Sequence, residues 1–125
     1  MKIMLQLSHK KLDVYQYSLK FVKEIYQLTN LFPKVEQFAL VSQLRRAAVS
    51  ICSNLAEGAA RISNKEKRRF YEISRSSLVE VDTQLEISML LSYLSDQQLR
   101  AAEAQANSIF GMLSKMIKNL DLKPL

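Results

Sequence analysis

The sequence predicts an all-α fold, an antiparallel up-down four-helix bundle, on three observations. Apolar residues recur at helical spacing through four successive segments. Two Gly (Gly58, Gly111) and two Pro (Pro33, Pro124) are all that 125 residues contain, so turn formers are scarce. Two Ser residues, each followed three positions later by Glu or Gln, mark helix starts as capping boxes do. With 48% hydrophobic and 24% charged residues the chain can build one core, and its length suits a single domain, residues 1–125.

The first helix is expected over about 13–30, where Val14, Phe21, Ile25 and Leu28 share a face, Asp13 stands as N-cap and Pro33 follows. The second, about 36–62, carries Val41, Leu44, Ala48, Ile51, Leu55 and Ile62 in a near-heptad stripe. Ser63 with Glu66 opens the third, about 64–94, whose buried face reads Phe70, Ser74, Leu78, Val81, Leu85 and Met89. Ser95 with Gln98 opens the fourth, about 96–121, through Leu99, Ala102, Ala106, Ile109, Leu113, Met116 and Leu120. The tail from residue 121 to 125 is expected to fray.

The second helix is slim. Ala47, Ala48, Ser50, Cys52, Ser53, Ala56, Gly58, Ala59 and Ala60 leave little side-chain volume, and Val49, Cys52, Ala56 and Ala60 add an apolar flank turned about 100° from the main stripe. A bundle helix touching two neighbours needs such a wide face. The sharper reading is a second interface in a homo-oligomer. On another line of the helix Glu57 and Arg61, at i,i+4, read as a surface ion pair, and the alternative is that Asn54 and Glu57 line a subunit contact. Gly58 within a helix costs about 0.5–1 kcal/mol relative to Ala, which points to close packing or a local kink.

Net charge is +6, and it is unevenly placed: +3 over residues 1–33, +5 over 34–75 and −2 over 76–125. Arg61, Lys65, Lys67, Arg68, Arg69 and Arg75 face only Glu66 and Glu72 within fifteen residues, for a local charge of +4. These cations crowd the positive end of the third helix, where each is mildly unfavourable. A bound phosphate would relieve that repulsion and take the free backbone N–H groups of the first turn. The simpler account is a solvated face neutralised by Arg68–Glu72 and Glu66–Arg69 pairs. Tyr71, beside the cluster, is placed in the core rather than as a base-stacking ring.

Catalytic chemistry is not expected. With His9 the only histidine, neither a metal site nor a Ser/His or Cys/His pair can be assembled, and two isolated glycines make no phosphate loop. Glu80, Asp82 and Glu86 read as solvated carboxylates, and Cys52 as a small packing residue. No cofactor is called for. The opening "MKIMLQLSHKK" is too short and polar for a secretory signal, and no apolar run reaches the roughly 18 residues of a membrane span, so a cytoplasmic protein is expected.

The stretch "SQLRRAAVSICSNLAEGAAR", with "SNKEKRRFYEISRSSLVEVDTQL" after it and "YQLTNLFPKVEQFAL" before it, resembles the bacterial four-helix-bundle family encoded in intervening sequences of the 23S ribosomal RNA gene. The resemblance spans roughly residues 12–120. Arg45, Arg46, Asn54, Glu57, Gly58 and Arg69-Phe70 fall on the family pattern, whereas Cys52 stands where relatives often carry Pro. The family is also similar to accessory proteins of diversity-generating retroelements, which bind a reverse transcriptase and nucleic acid. The resemblance thus implies a ring-like homo-oligomer, a homopentamer. Together with the basic patch it leads to a non-enzymatic module that binds RNA or DNA backbone without sequence preference, RNA favoured. The competing expectation is a scaffold that docks a protein partner such as a polymerase or reverse transcriptase.

Overall fold

The computed structural model describes residues 5–121. Four α-helices follow one another, α1 (Asp13–Thr29), α2 (Leu40–Ala59), α3 (Asn64–Leu90) and α4 (Asp96–Asp121). One 3-10 turn, Ser8–Lys11, precedes α1, and a second, Lys34–Glu36, joins α1 to α2. Neighbours in sequence pack antiparallel, and α1 also meets α4, which closes the four-helix bundle. No strand occurs among the described residues. The tail beyond Asp121, expected to fray, lies outside them.

Phe21, Ile25, Leu44, Ile51, Leu55, Val81, Ile109 and Leu113 form the fully buried centre. Burying each such side chain contributes on the order of 1.5–3 kcal/mol. The α3 stripe differs from the expected one by a residue at each end. Tyr71 and Ser88 are buried, while Phe70 is half-buried and Met89 exposed, so the face runs 71, 74, 78, 81, 85, 88. The α2 stripe ends at buried Gly58, and Ile62 is 98% exposed beyond the helix.

α2 and α3 make the most extensive pairing in the bundle, and the slimness of α2 serves it. A Cβ at Gly58 would sit 2.7 Å from Tyr71 Cε1, so only glycine admits that ring. Ser74 donates to the Ile51 carbonyl at 2.8 Å, the Ser50 and Ser77 hydroxyls bond at 2.9 Å, and Gln84 Nε2 donates to Gln43 Oε1 at 3.1 Å. These contacts, spread along both helices, fix the register of α2 against α3.

The helix ends depart from expectation for local reasons. Leu12, not Asp13, is the N-cap of α1; Asp13 is the first helical residue, where its charge still suits the dipole. α2 begins at Leu40 rather than 36, because the Glu36 carboxylate accepts the Leu40 N–H at 3.3 Å and the Tyr93 O–H at 2.7 Å and so holds the preceding turn. α3 stops at Leu90 rather than 94. Ser92 adopts φ 64°, its N–H reaches the Met89 carbonyl and the Tyr93 N–H reaches that of Ser88, both at 2.9 Å, a Schellman closure without glycine. Both capping Ser residues act as expected: Ser63 Oγ accepts the Glu66 N–H at 3.1 Å, and Ser95 and Gln98 bond reciprocally at 2.9 and 3.2 Å.

Candidate nucleic-acid interface

The antiparallel arrangement brings the α2–α3 turn, the start of α1 and the end of α4 to one end of the bundle, and the sequence-derived cations meet there unequally. Phe70, half-buried on the first turns of α3, carries the Arg61 guanidinium 4.6 Å from its ring centre and that of Arg69 at 5.3 Å. Arg61 also pairs with Glu57 at 2.8 Å, and Arg69 approaches Glu66 at 4.0 Å. Lys65 is exposed on the same turn. Arg68 faces the other way, bonded to Asp121 at the end of α4 and 3.6 Å from Glu72.

Two members of the patch have other work. Lys67 Nζ donates to the Ala59 carbonyl at 3.0 Å and so caps α2, a cation at the negative end of that helix. Arg75 lies about three turns up α3, where it donates to Ser114 Oγ at 3.1 Å and leans over Phe110 at 5.7 Å. The patch therefore resolves into Arg61, Lys65 and Arg69 around Phe70, Arg68 beside them toward α4, and two side chains tied into the fold. Sequence reasoning placed Phe70 in the core and missed it as the platform for two guanidiniums; Arg nine residues before and one before an aromatic was the available signal.

The expected subunit-contact residues separate as well. Cys52 is buried, and that burial pushes its thiol up to about 11, so it stays a protonated packing group. Asn54 is half-buried and donates to the Ser50 carbonyl and hydroxyl within its own helix, both at 2.9 Å. Ala56 is half-buried, while Val49, Glu57 and Ala60 are exposed. Tyr71 is buried, its hydroxyl raised in pKa by that burial, and its ring is closed to a stacking base.

Arg45 is a clamp. Its Nε donates to Thr29 Oγ1 and its Nη2 to Asn30 Oδ1, both at 2.9 Å, with the guanidinium 4.5 Å above the Tyr26 ring. It fastens the C-terminal end of α1 to α2. Elsewhere Asp82, Glu86 and Glu103 line an open groove of about 340 Å³ between α3 and α4; all three carboxylates are exposed. Among the described residues no three His, Cys, Asp or Glu side chains converge in a metal-ligating group, and no helix is long and apolar enough to cross a membrane.

The fold has a solved counterpart. A protein of unknown function from the S23 ribosomal protein family of Bacteroides thetaiotaomicron superposes with a TM-score of 0.74, at 23% identity over 84% of this chain and 98% of that one. No curated protein matches the chain in sequence. Residues 10–115 match the 23S rRNA-intervening sequence protein family, a span that takes in all of α1, α2 and α3 and most of α4. The chain belongs to the 23S rRNA-intervening sequence protein family.

Proposed function

We propose that the protein is a non-enzymatic, oligomeric, cytoplasmic module that binds nucleic-acid backbone, RNA in preference, through the basic end of the bundle. The observation that carries this reading is the pair of guanidiniums from Arg61 and Arg69 on the Phe70 ring, with Lys65 and Arg68 alongside. Their acidic partners are exposed surface carboxylates, and such pairs are worth only about 0–1 kcal/mol each. A polyanion therefore displaces them readily, and the ring holds the planar heads extended toward it. In an oligomer, a homopentamer by family resemblance, each copy repeats the cluster, and avidity multiplies weak contacts.

The test is the triple change Arg61→Gln, Lys65→Gln and Arg69→Gln, which spares the α2-capping Lys67 and the Arg68–Asp121 bond. Fluorescence anisotropy with labelled RNA and DNA is followed across salt concentrations, with light scattering to report the mass. We expect unchanged mass, weaker binding and a shallower slope of log K against log salt. Each phosphate that the variant no longer neutralises takes about 0.7 off the slope on single strands and about 0.9 on duplex DNA. An intact variant with unchanged affinity and slope would overturn the reading.

A second reading, a scaffold that docks a polymerase or reverse transcriptase, draws on the opposite end of the bundle. There Leu31, Val35 and Leu90 are exposed apolar side chains, the last two each 82%. Capture of a partner protein by the triple variant as well as by the wild type would favour it.

A further inference from the structure

Phe38, in the α1–α2 connection, is 95% exposed, so its ring is open to solvent. It borders a surface groove of about 440 Å³ between the last turns of α1 and the first turns of α2. Tyr26, Ser42, Arg45, Arg46 and Val49 also line that groove, and no carboxylate does. The Arg45 guanidinium, held by Thr29 and Asn30, sits 4.5 Å over the Tyr26 ring centre, which fixes a cation and an aromatic ring together in one wall. Arg46 is exposed and makes no hydrogen bond or ion pair among the described residues. The groove lies at the end of α2 remote from the Arg61–Arg69 cluster, so it is a separate surface.

We propose that this groove is a stacking site for single-stranded nucleic acid, an unpaired base lying on Phe38 while Arg46 takes the adjoining phosphate. The proposal rests on the nucleic-acid reading above and adds to it the class of strand. Two guanidiniums without a lining carboxylate select an anionic occupant, and an open aromatic face selects a flat one. A strand with splayed bases supplies both at once, whereas a duplex keeps its bases stacked away. Ser42, a hydroxyl within the groove, offers a hydrogen-bond partner to a base edge.

The chain contains no tryptophan, so Phe38→Trp installs a unique reporter on an exposed position that the core does not use. Its emission is followed while single-stranded oligo-A, oligo-U, an abasic strand of equal charge and a duplex of equal length are added, with anisotropy measured in parallel. We expect quenching by oligo-A and oligo-U and none by the abasic strand or the duplex. In anisotropy, Phe38→Ala and Arg46→Gln weaken binding of oligo-A, the former by roughly 5- to 150-fold, the range for removal of a base–aromatic stack. Binding without quenching would overturn the stacking site and leave the basic end as the binding surface. Absence of binding by either measure would overturn both. A tryptophan spectrum that shifts with protein concentration alone would overturn the proposal by showing a second copy in the groove, and a shift on adding a partner protein but no oligonucleotide would do so in favour of the scaffold.

Discussion

Gly58 shows how one missing side chain sets the position of its neighbours. Alanine is favoured over glycine in a helix by roughly 0.5–1 kcal/mol, so propensity alone would make Gly58→Ala stabilising. The added Cβ would lie 2.7 and 2.8 Å from two atoms of the Tyr71 ring and 3.1 Å from Phe70 Cβ, and Tyr71 is buried with no open space to retreat into. Overpacking of this kind costs about 1–3 kcal/mol, which outweighs the gain. Gly58→Ala is expected to lower the urea midpoint, and Tyr71→Leu in the same chain to recover part of the loss. A double-mutant cycle reads the coupling between the two positions, and simple additivity would show that the ring does not occupy the space left by the glycine. The same contact explains why the α3 stripe is offset from its sequence reading. Phe70 and Tyr71 both suit a buried aromatic position by periodicity, and the choice between them is made by a glycine on another helix.

Among the helices, α3 ends on an unusual residue. Ser92 takes φ 64°, a conformation in which an L-residue with a Cβ is disfavoured by about 1–2 kcal/mol and glycine is not. Ser92→Gly is expected to be neutral to about 1 kcal/mol stabilising, because relief of strain is partly offset by a more flexible unfolded chain. Ser92→Val, β-branched, is expected to destabilise by about 1–2 kcal/mol. Urea unfolding with unchanged m-values measures both, and equal midpoints for Val and wild type would rule out the left-handed cap. Helix starts were legible in the sequence wherever a side chain within three residues caps them, as at Ser63 and Ser95. The start of α2 was not, since Glu36 holds that corner through a bond to Tyr93, which the α3–α4 connection brings alongside it from 57 residues further along the chain. The basic cluster was legible as a charge run but not as a surface. Nothing in the run itself distinguishes Lys67, turned back to cap α2, or Arg75, bonded to α4, from Arg61 and Arg69 on Phe70.

At the scale of the whole molecule the periodicity of four segments was enough to specify a closed bundle, because each stripe can be buried only against the others. The two proposed binding surfaces were beyond that pattern, since each depends on which side chains are tied back into the fold and which are left at the surface. Their placement has a metric consequence. α2 joins them as one unbroken helix of 20 residues, about 30 Å long at 1.5 Å per residue. Its axial position against α3 is fixed by the Gly58–Tyr71 fit and by the Ser50–Ser77 and Gln43–Gln84 bonds, so it cannot slip by a turn without breaking all three. The helix is thus a gauge. An oligonucleotide too short to reach from Phe38 to Phe70 engages one surface at a time, and lengthening it improves affinity only gradually through added charge. Once it spans the gap, the second contact becomes intramolecular and the affinity should rise abruptly, by up to about 10²–10⁴-fold. A length series of single-stranded RNA measured by anisotropy locates the threshold. Phe38→Ala should erase the step while leaving the gradual rise, and a smooth curve in the wild type would mean that the two ends of α2 do not hold one strand together.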